Sequence, residues 1–228
     1  MKATGANPHG NHDDPLDELI YILLSAQTEA YLYRETFASL KARFTPWSRL
    51  LDASEDEIAK VIARGGLAKK KAAQIRGVLQ KLMQDRGELS LTFLAGLPDD
   101  DALAYLVCLP GIGPKSAKCI LMYSLKRAVF PVDTHVWRVL RRIGLAPPVA
   151  KPSDRMEADL EKSIPRTFRH DLHVKLVTHG RETCHAHYPR CQMCVVANLC
   201  RSKGKVDDVW HSFSAPKGVW AHSGQRTA

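Results

Sequence analysis

The chain has 228 residues, 45% of them hydrophobic, enough to bury one large or two modest cores, so an ordinary globular protein is expected. Its 33 basic and 24 acidic side chains leave a formal charge of +9, which favours a polyanionic partner, nucleic acid ahead of an anionic membrane. No run approaches the ~18 apolar residues of a membrane span and the opening MKATGANPHGNHDD lacks an apolar signal region, so a cytoplasmic protein with no membrane partner is expected.

After the polar leader, Leu16 to Gln27 is apolar enough for a deeply buried helix, with Pro15 at its entry. A second helix is predicted over Tyr31 to Phe44. Ser54 and Glu57 form a capping-box pattern ahead of Ile58, Val61 and Ile62, and Gly65-Gly66 closes that helix. The next begins near Lys69, with Ile75, Val78, Leu79 and Leu82 on one face. Another spans Asp100 to Leu109 and leads into the hairpin Pro110-Gly111-Ile112-Gly113. Beyond Pro131, Asp133 is placed to cap a helix over Thr134 to Ile143. Ser153 to Ser163 and His170 to Thr183 are the last long helices predicted. No alternating run of strand residues occurs, so the fold class is all-α. The tail from Arg201, with Trp210, Phe213 and Trp220 among Gly, Ser and Pro, reads as loosely packed.

Two stretches carry chemistry. Gly111 and Gly113 let backbone N–H groups approach a ligand, and the helix that follows points its positive dipole end the same way, which makes an anion seat suited to phosphate. By itself this supports only DNA binding. Further on, Cys184, Cys191, Cys194 and Cys200 place four thiols within seventeen residues, a strong signal for one metal centre. Zinc sites favour two short pairs with a longer spacer, whereas here one close pair sits between wider gaps, which suits a 4Fe-4S cluster while leaving zinc open. Cys108 and Cys119, outside this window, read as buried small hydrophobes.

LLSAQT (23–28), GLAKKKA (66–72), LPGIGPKSA (109–117), VDTH (132–135) and HGRETC with its cysteine spacing occur in one order. Together they resemble the endonuclease III branch of the helix-hairpin-helix DNA glycosylases, over roughly residues 16–206. The resemblance implies two helical lobes with DNA across the cleft between them. The hairpin lobe would span 16–128, and a lobe carrying a structural 4Fe-4S cluster would comprise 1–15 plus 129–206, with 207–228 as a tail. The implied activity is a bifunctional glycosylase and abasic-site β-lyase, acting as a monomer on oxidised pyrimidines in double-stranded DNA, nucleoid-associated if the source is prokaryotic. The alternatives are excision of another base, such as uracil or a mismatched adenine, or a non-catalytic DNA-binding module.

Lys115 matches the family's nucleophile. At a helix N-terminus, partly desolvated, its ammonium form is disfavoured, while a nearby Asp133 carboxylate pulls the other way. Asp133 matches the family's aspartate, which assists proton transfer or stabilises the developing sugar cation. Gln27 and Leu67 match the wedge positions that fill the gap left by an extruded base. The hairpin residues Gly111, Ile112 and Gly113 match the backbone grip. Lys69, Lys70 and Lys71 stand at the helix end that disfavours cations, an objection that a DNA phosphate removes, so DNA contact is favoured over a solvated face. Arg190 is the one arginine inside the cysteine loop's HAHYPR stretch. Lys118 and Arg138 are weaker DNA-contact candidates, and His135 and His179 are read as core histidines. The leader is shorter than the helix that commonly precedes the hairpin lobe in this family, which suggests a trimmed cluster lobe with the aromatic tail covering the gap.

Overall fold

A computed structural model describes residues 9–203. Ten α-helices and four 3-10 turns make up its regular structure, with no strand among the described residues. The 207–228 tail and residues 1–8 of the leader lie outside those residues, so the expectations for them have no structural counterpart here.

The chain divides after Pro131 into two compact units, three residues beyond the predicted lobe boundary. In the first unit α1 (Pro15–Ser25) is the central element. Asp14 caps it by accepting from the Leu16 and Asp17 backbone N–H groups at 3.0 and 2.8 Å, and Pro15 occupies the first turn, where a missing donor costs nothing. Every residue from Pro15 to Leu24 is buried, because α2 (Ala30–Phe44), α5 (Ala68–Arg86) and α7 (Pro114–Tyr123) pack around it. Full burial of each of Leu19, Ile20 and Leu24 contributes about 2 kcal/mol. The short helix α3 (Arg49–Asp52) and the turn Thr92–Gly96 have no period long enough to register in the sequence. α4 (Glu55–Val61) starts with the predicted capping box, Ser54 and Glu57 each bonding the other's backbone. α6 (Asp99–Val107) carries three aspartates in its first turn, favourable at the positive end of a helix. Arg127 ties this start to the chain after α7 through Asp99 and the carbonyls of Ala95 and Leu97, at 2.8 to 3.1 Å.

The described leader corrects one expectation. Residues 9–14 pack into the first unit instead of joining the cluster lobe. Tyr21 donates to the His9 carbonyl (2.7 Å), Ser124 to the His12 carbonyl (2.8 Å) and Lys126 to Asp13 (2.7 Å). The His12 ring lies on Phe37, centroids 4.3 Å apart. Irregular chain with polar side chains thus does the packing that a further helix would do.

The second unit contains α8 (Thr134–Ile143), α9 (Asp154–Ser163) and α10 (Arg169–Glu182), with Val136, Trp137, Val139, Leu140, Leu176 and Val177 among its buried residues. α8 and α10 pack together. Arg138 joins them by donating to the carbonyls of Gly180 (2.8 Å) and Cys184 (3.0 Å), so it is a structural brace, not the DNA contact considered from sequence. Among the described residues no helix is long and apolar enough to cross a membrane.

Candidate active site

The hairpin joins α6 to α7 with two glycines that do different work. Gly111 adopts φ +80°, in the left-handed region, and a Cβ there would lie 2.5 Å from the Gln74 side chain. Gly113, the N-cap of α7, has φ −96° and open space where a Cβ would project. Gly113 is itself a favoured N-cap residue, and the space beside it is open to a ligand. Ile112 buries its side chain in the core and its N–H donates to the Leu109 carbonyl at 3.1 Å. It anchors the hairpin from beneath. Pro114 then fixes the first turn of α7, and Lys115 follows it, half-buried, where the helix dipole is most positive.

Glu18 escaped the sequence reading. It lies in the buried face of α1 with no exposed surface, accepting from the His12 backbone N–H (2.7 Å) and from the Asn11 amide. Burial raises its carboxyl to about pKa 7, against the hydrogen bonds from His12 and Asn11 and the charges of Lys115 and Lys126, which pull it down. The signal was present as a second acid inside the run LDELIYILL, where an exposed carboxylate has no place.

Gln27 and Leu67 are both exposed and both take left-handed backbone, φ 52° and 50°, which a side-chain-bearing residue adopts at a cost of about 1 kcal/mol or more. Leu67, the N-cap of α5, is 48% exposed. Gln27 falls two residues beyond α1, so the predicted helix ended too late. The three lysines that open α5 separate. Lys69 and Lys70 are exposed, as a phosphate contact requires, whereas Lys71 is 1% exposed and points inward. The reading of Lys71 as a DNA contact is therefore corrected: its ammonium donates to the Leu24 carbonyl (2.8 Å), the Gly65 carbonyl (2.8 Å) and Thr28 Oγ1 (2.6 Å).

In the second unit Asp133 is the N-cap of α8, accepting from the Val136 N–H at 2.7 Å. His135 lies against Arg138, 3.0 Å from Nη2, and burial lowers its pKa. Cys184, Cys191, Cys194 and Cys200 line one cavity with Arg142, His179 and Arg190. Buried Arg142 donates to Cys184 Sγ (3.2 Å) and to the carbonyls of His185 and Ala186, holding a cation beside the sulfurs. Burial and then the three neighbouring cysteines push the Cys191 thiol up, while Arg142 pulls it down. Among the described residues no group of three or more His, Cys, Asp or Glu side chains is arranged to hold a single metal ion, and the four cysteines share the lining of one cavity. His179, expected in the core, faces this space, its Nε2 3.6 Å from Cys194 Sγ. Arg190 is exposed at the rim, its N–H held by the Thr183 carbonyl. Cys108 is exposed, contrary to expectation, because it ends α6 on the solvent side; Cys119 is buried.

Comparison with known proteins gives the same family from sequence and from fold. Residues 20–166 match the model of the HhH-GPD superfamily of base excision DNA repair proteins. An Arabidopsis thaliana relative named as a candidate DNA glycosylase is 38% identical over 193 residues, 84% of this chain; the chain spans 62% of that relative's length. Endonuclease III of Escherichia coli is 35% identical over 207 residues, covering 88% of this chain and 92% of that protein. A solved endonuclease III–DNA complex superimposes with a TM-score of 0.72 at 29% identity, over 84% of this chain and 85% of that one. The chain therefore belongs to the HhH-GPD superfamily of base excision DNA repair proteins, and within it to the endonuclease III-like DNA glycosylases.

Proposed function

We propose that the protein removes oxidised pyrimidines from duplex DNA and then cleaves the abasic site, with Lys115 as nucleophile. The observation that carries this reading is Lys115 in the first turn of α7, directly after a hairpin whose Gly113 leaves open space at the start of that helix. The neutral Lys115 amine attacks the sugar C1′ as the base departs with the bonding electron pair. Loss of the ring oxygen bond gives a Schiff base, and removal of a C2′ proton then expels the 3′ phosphate by β-elimination. Asp133 takes part in the proton transfers or stabilises the sugar cation. A related solved structure is described as a trapped endonuclease III–DNA covalent intermediate, which supports a covalent step for this branch. Gln27 and Leu67 fill the vacated stack, and Lys69, Lys70 and Arg190 bind phosphate.

The four cysteines are proposed to hold a 4Fe-4S cluster. Four thiols on the lining of one cavity and the buried Arg142 beside Cys184 fit such a group. When bound, it supplies structural cross-linking of the loop that carries Arg190 and takes no part in base excision.

Borohydride trapping on a duplex with one abasic site tests the nucleophile. The wild type should form a covalent adduct and Lys115→Ala none; an undiminished adduct with Lys115→Ala would exclude this lysine. Asp133→Asn keeps the helix cap, since asparagine caps as well as aspartate, so it should slow excision at least tenfold while leaving thermal stability within about 0.5 kcal/mol. A panel of single-lesion duplexes identifies the base.

A further inference from the structure

We propose that Lys71 is a positioning residue that locks the Gln27 and Leu67 turns together as one two-pronged wedge. This rests on the reading above that those two side chains fill the stack when a base is extruded. The geometry is specific. Gln27 lies between two groups the ammonium holds, three residues after Leu24 and one before Thr28. Leu67 lies two residues after Gly65 and four before Lys71 itself, whose N–H donates to the Leu67 carbonyl at 2.9 Å. The ammonium bonds Leu24 O, Thr28 Oγ1 and Gly65 O at once, using all three of its protons on acceptors from both turns. Thr28 Oγ1 also lies 2.6 Å from the Gly65 carbonyl and 3.0 Å from the Ala26 carbonyl, a second bridge between the same segments.

A bridge of this kind answers a mechanical need. Both prongs stand on left-handed backbone that their own side chains disfavour, and both are exposed, so neither is held by burial of its own side chain. Inserting a side chain between base pairs costs a few kcal/mol of stacking, and a prong on a loose turn would yield before the DNA did. An ammonium at the C-terminal end of α1 also meets the negative pole of that helix, which favours its charge against the burial that lowers its pKa. An apolar residue of the same length would fill the space without joining the turns.

The test uses the full chain and a duplex with 2-aminopurine beside a stable abasic analogue, with fluorescence read at saturating protein. The wild type should raise the fluorescence as the wedge opens the stack. Lys71→Met, which keeps the stem and removes the ammonium, should lose most of that rise, and Lys71→Arg should regain part of it. Adding Lys71→Met to Leu67→Ala should cost no more than the larger single loss, since residues acting through one element are not additive. The rate of borohydride trapping on duplex relative to single-stranded abasic DNA should fall about tenfold in Lys71→Met, because only the duplex has a stack to open. A lysine kept only for stability would lower the melting temperature and leave the fluorescence at saturation unchanged, and that result, or simple additivity with Leu67→Ala, overturns the proposal. Where Lys71→Met does not fold, Thr28→Val removes the hydroxyl bridge and is expected to act in the same direction. Wild-type protein that opens the stack but forms no adduct on either substrate would remove the lyase assignment while leaving the role of Lys71 standing.

Discussion

Glu18 shows how much a single buried acid can report. Its folded pKa of about 7 exceeds the ordinary carboxyl value, so between about pH 4.5 and 7 the folded state holds a proton that the unfolded state has released. Stability from this group is fully present below the unfolded value and is lost as the pH rises through 7. The whole window is worth on the order of 3 kcal/mol. Glu18→Gln stays neutral throughout, so the wild type should gain stability relative to the variant on going from pH 8 to pH 5, read by urea unfolding. Parallel pH profiles would show that the carboxyl is not displaced. The nearby His12, whose pKa burial lowers, titrates in both proteins and cancels in the difference.

At the scale of the element, the hairpin separates backbone need from ligand need. Gly111→Ala forces an alanine to φ +80° and against Gln74, and should cost about 1–3 kcal/mol of stability. Gly113→Ala meets no atom; the weaker cap offsets the reduced freedom of the unfolded chain, and stability should change by less than about 0.5 kcal/mol. Its Cβ would occupy the space a phosphate needs, so affinity for an abasic-analogue duplex should fall at least tenfold. Unchanged binding by Gly113→Ala would remove the phosphate from the hairpin. The neighbouring elements show what sequence can carry: the capping box of Ser54 and Glu57, the Asp133 cap and the apolar face of α7 are local, and each was legible. Ile112 was not, because a residue between two glycines belongs to no period that reveals which way it faces.

For the whole molecule, the cysteine loop belongs to the second of the two units. Purified without exposure to air, the protein should contain about four irons and four sulfides per chain with visible charge-transfer absorbance. Cys194→Ala should abolish that absorbance and loosen the α8–α10 pair while leaving unfolding of the first unit unchanged. Stoichiometric zinc without iron would overturn the cluster.

The sequence by itself determined the all-α class, the order of the long helices, the hairpin and its lysine, the aspartate cap and the four-cysteine loop. Those features rest on interactions between residues close along the chain, or on a motif long enough to be specific. Tertiary structure decided the rest. Lys69, Lys70 and Lys71 look alike in a row, yet only the third meets Leu24, Thr28 and Gly65, so only the third is drawn inside. Glu18 stands out in the sequence as an acid in an apolar run, but its partners Asn11 and His12 reach it only when the leader folds over it. A buried charge is defined by partners distant in sequence, and composition and period carry no record of them.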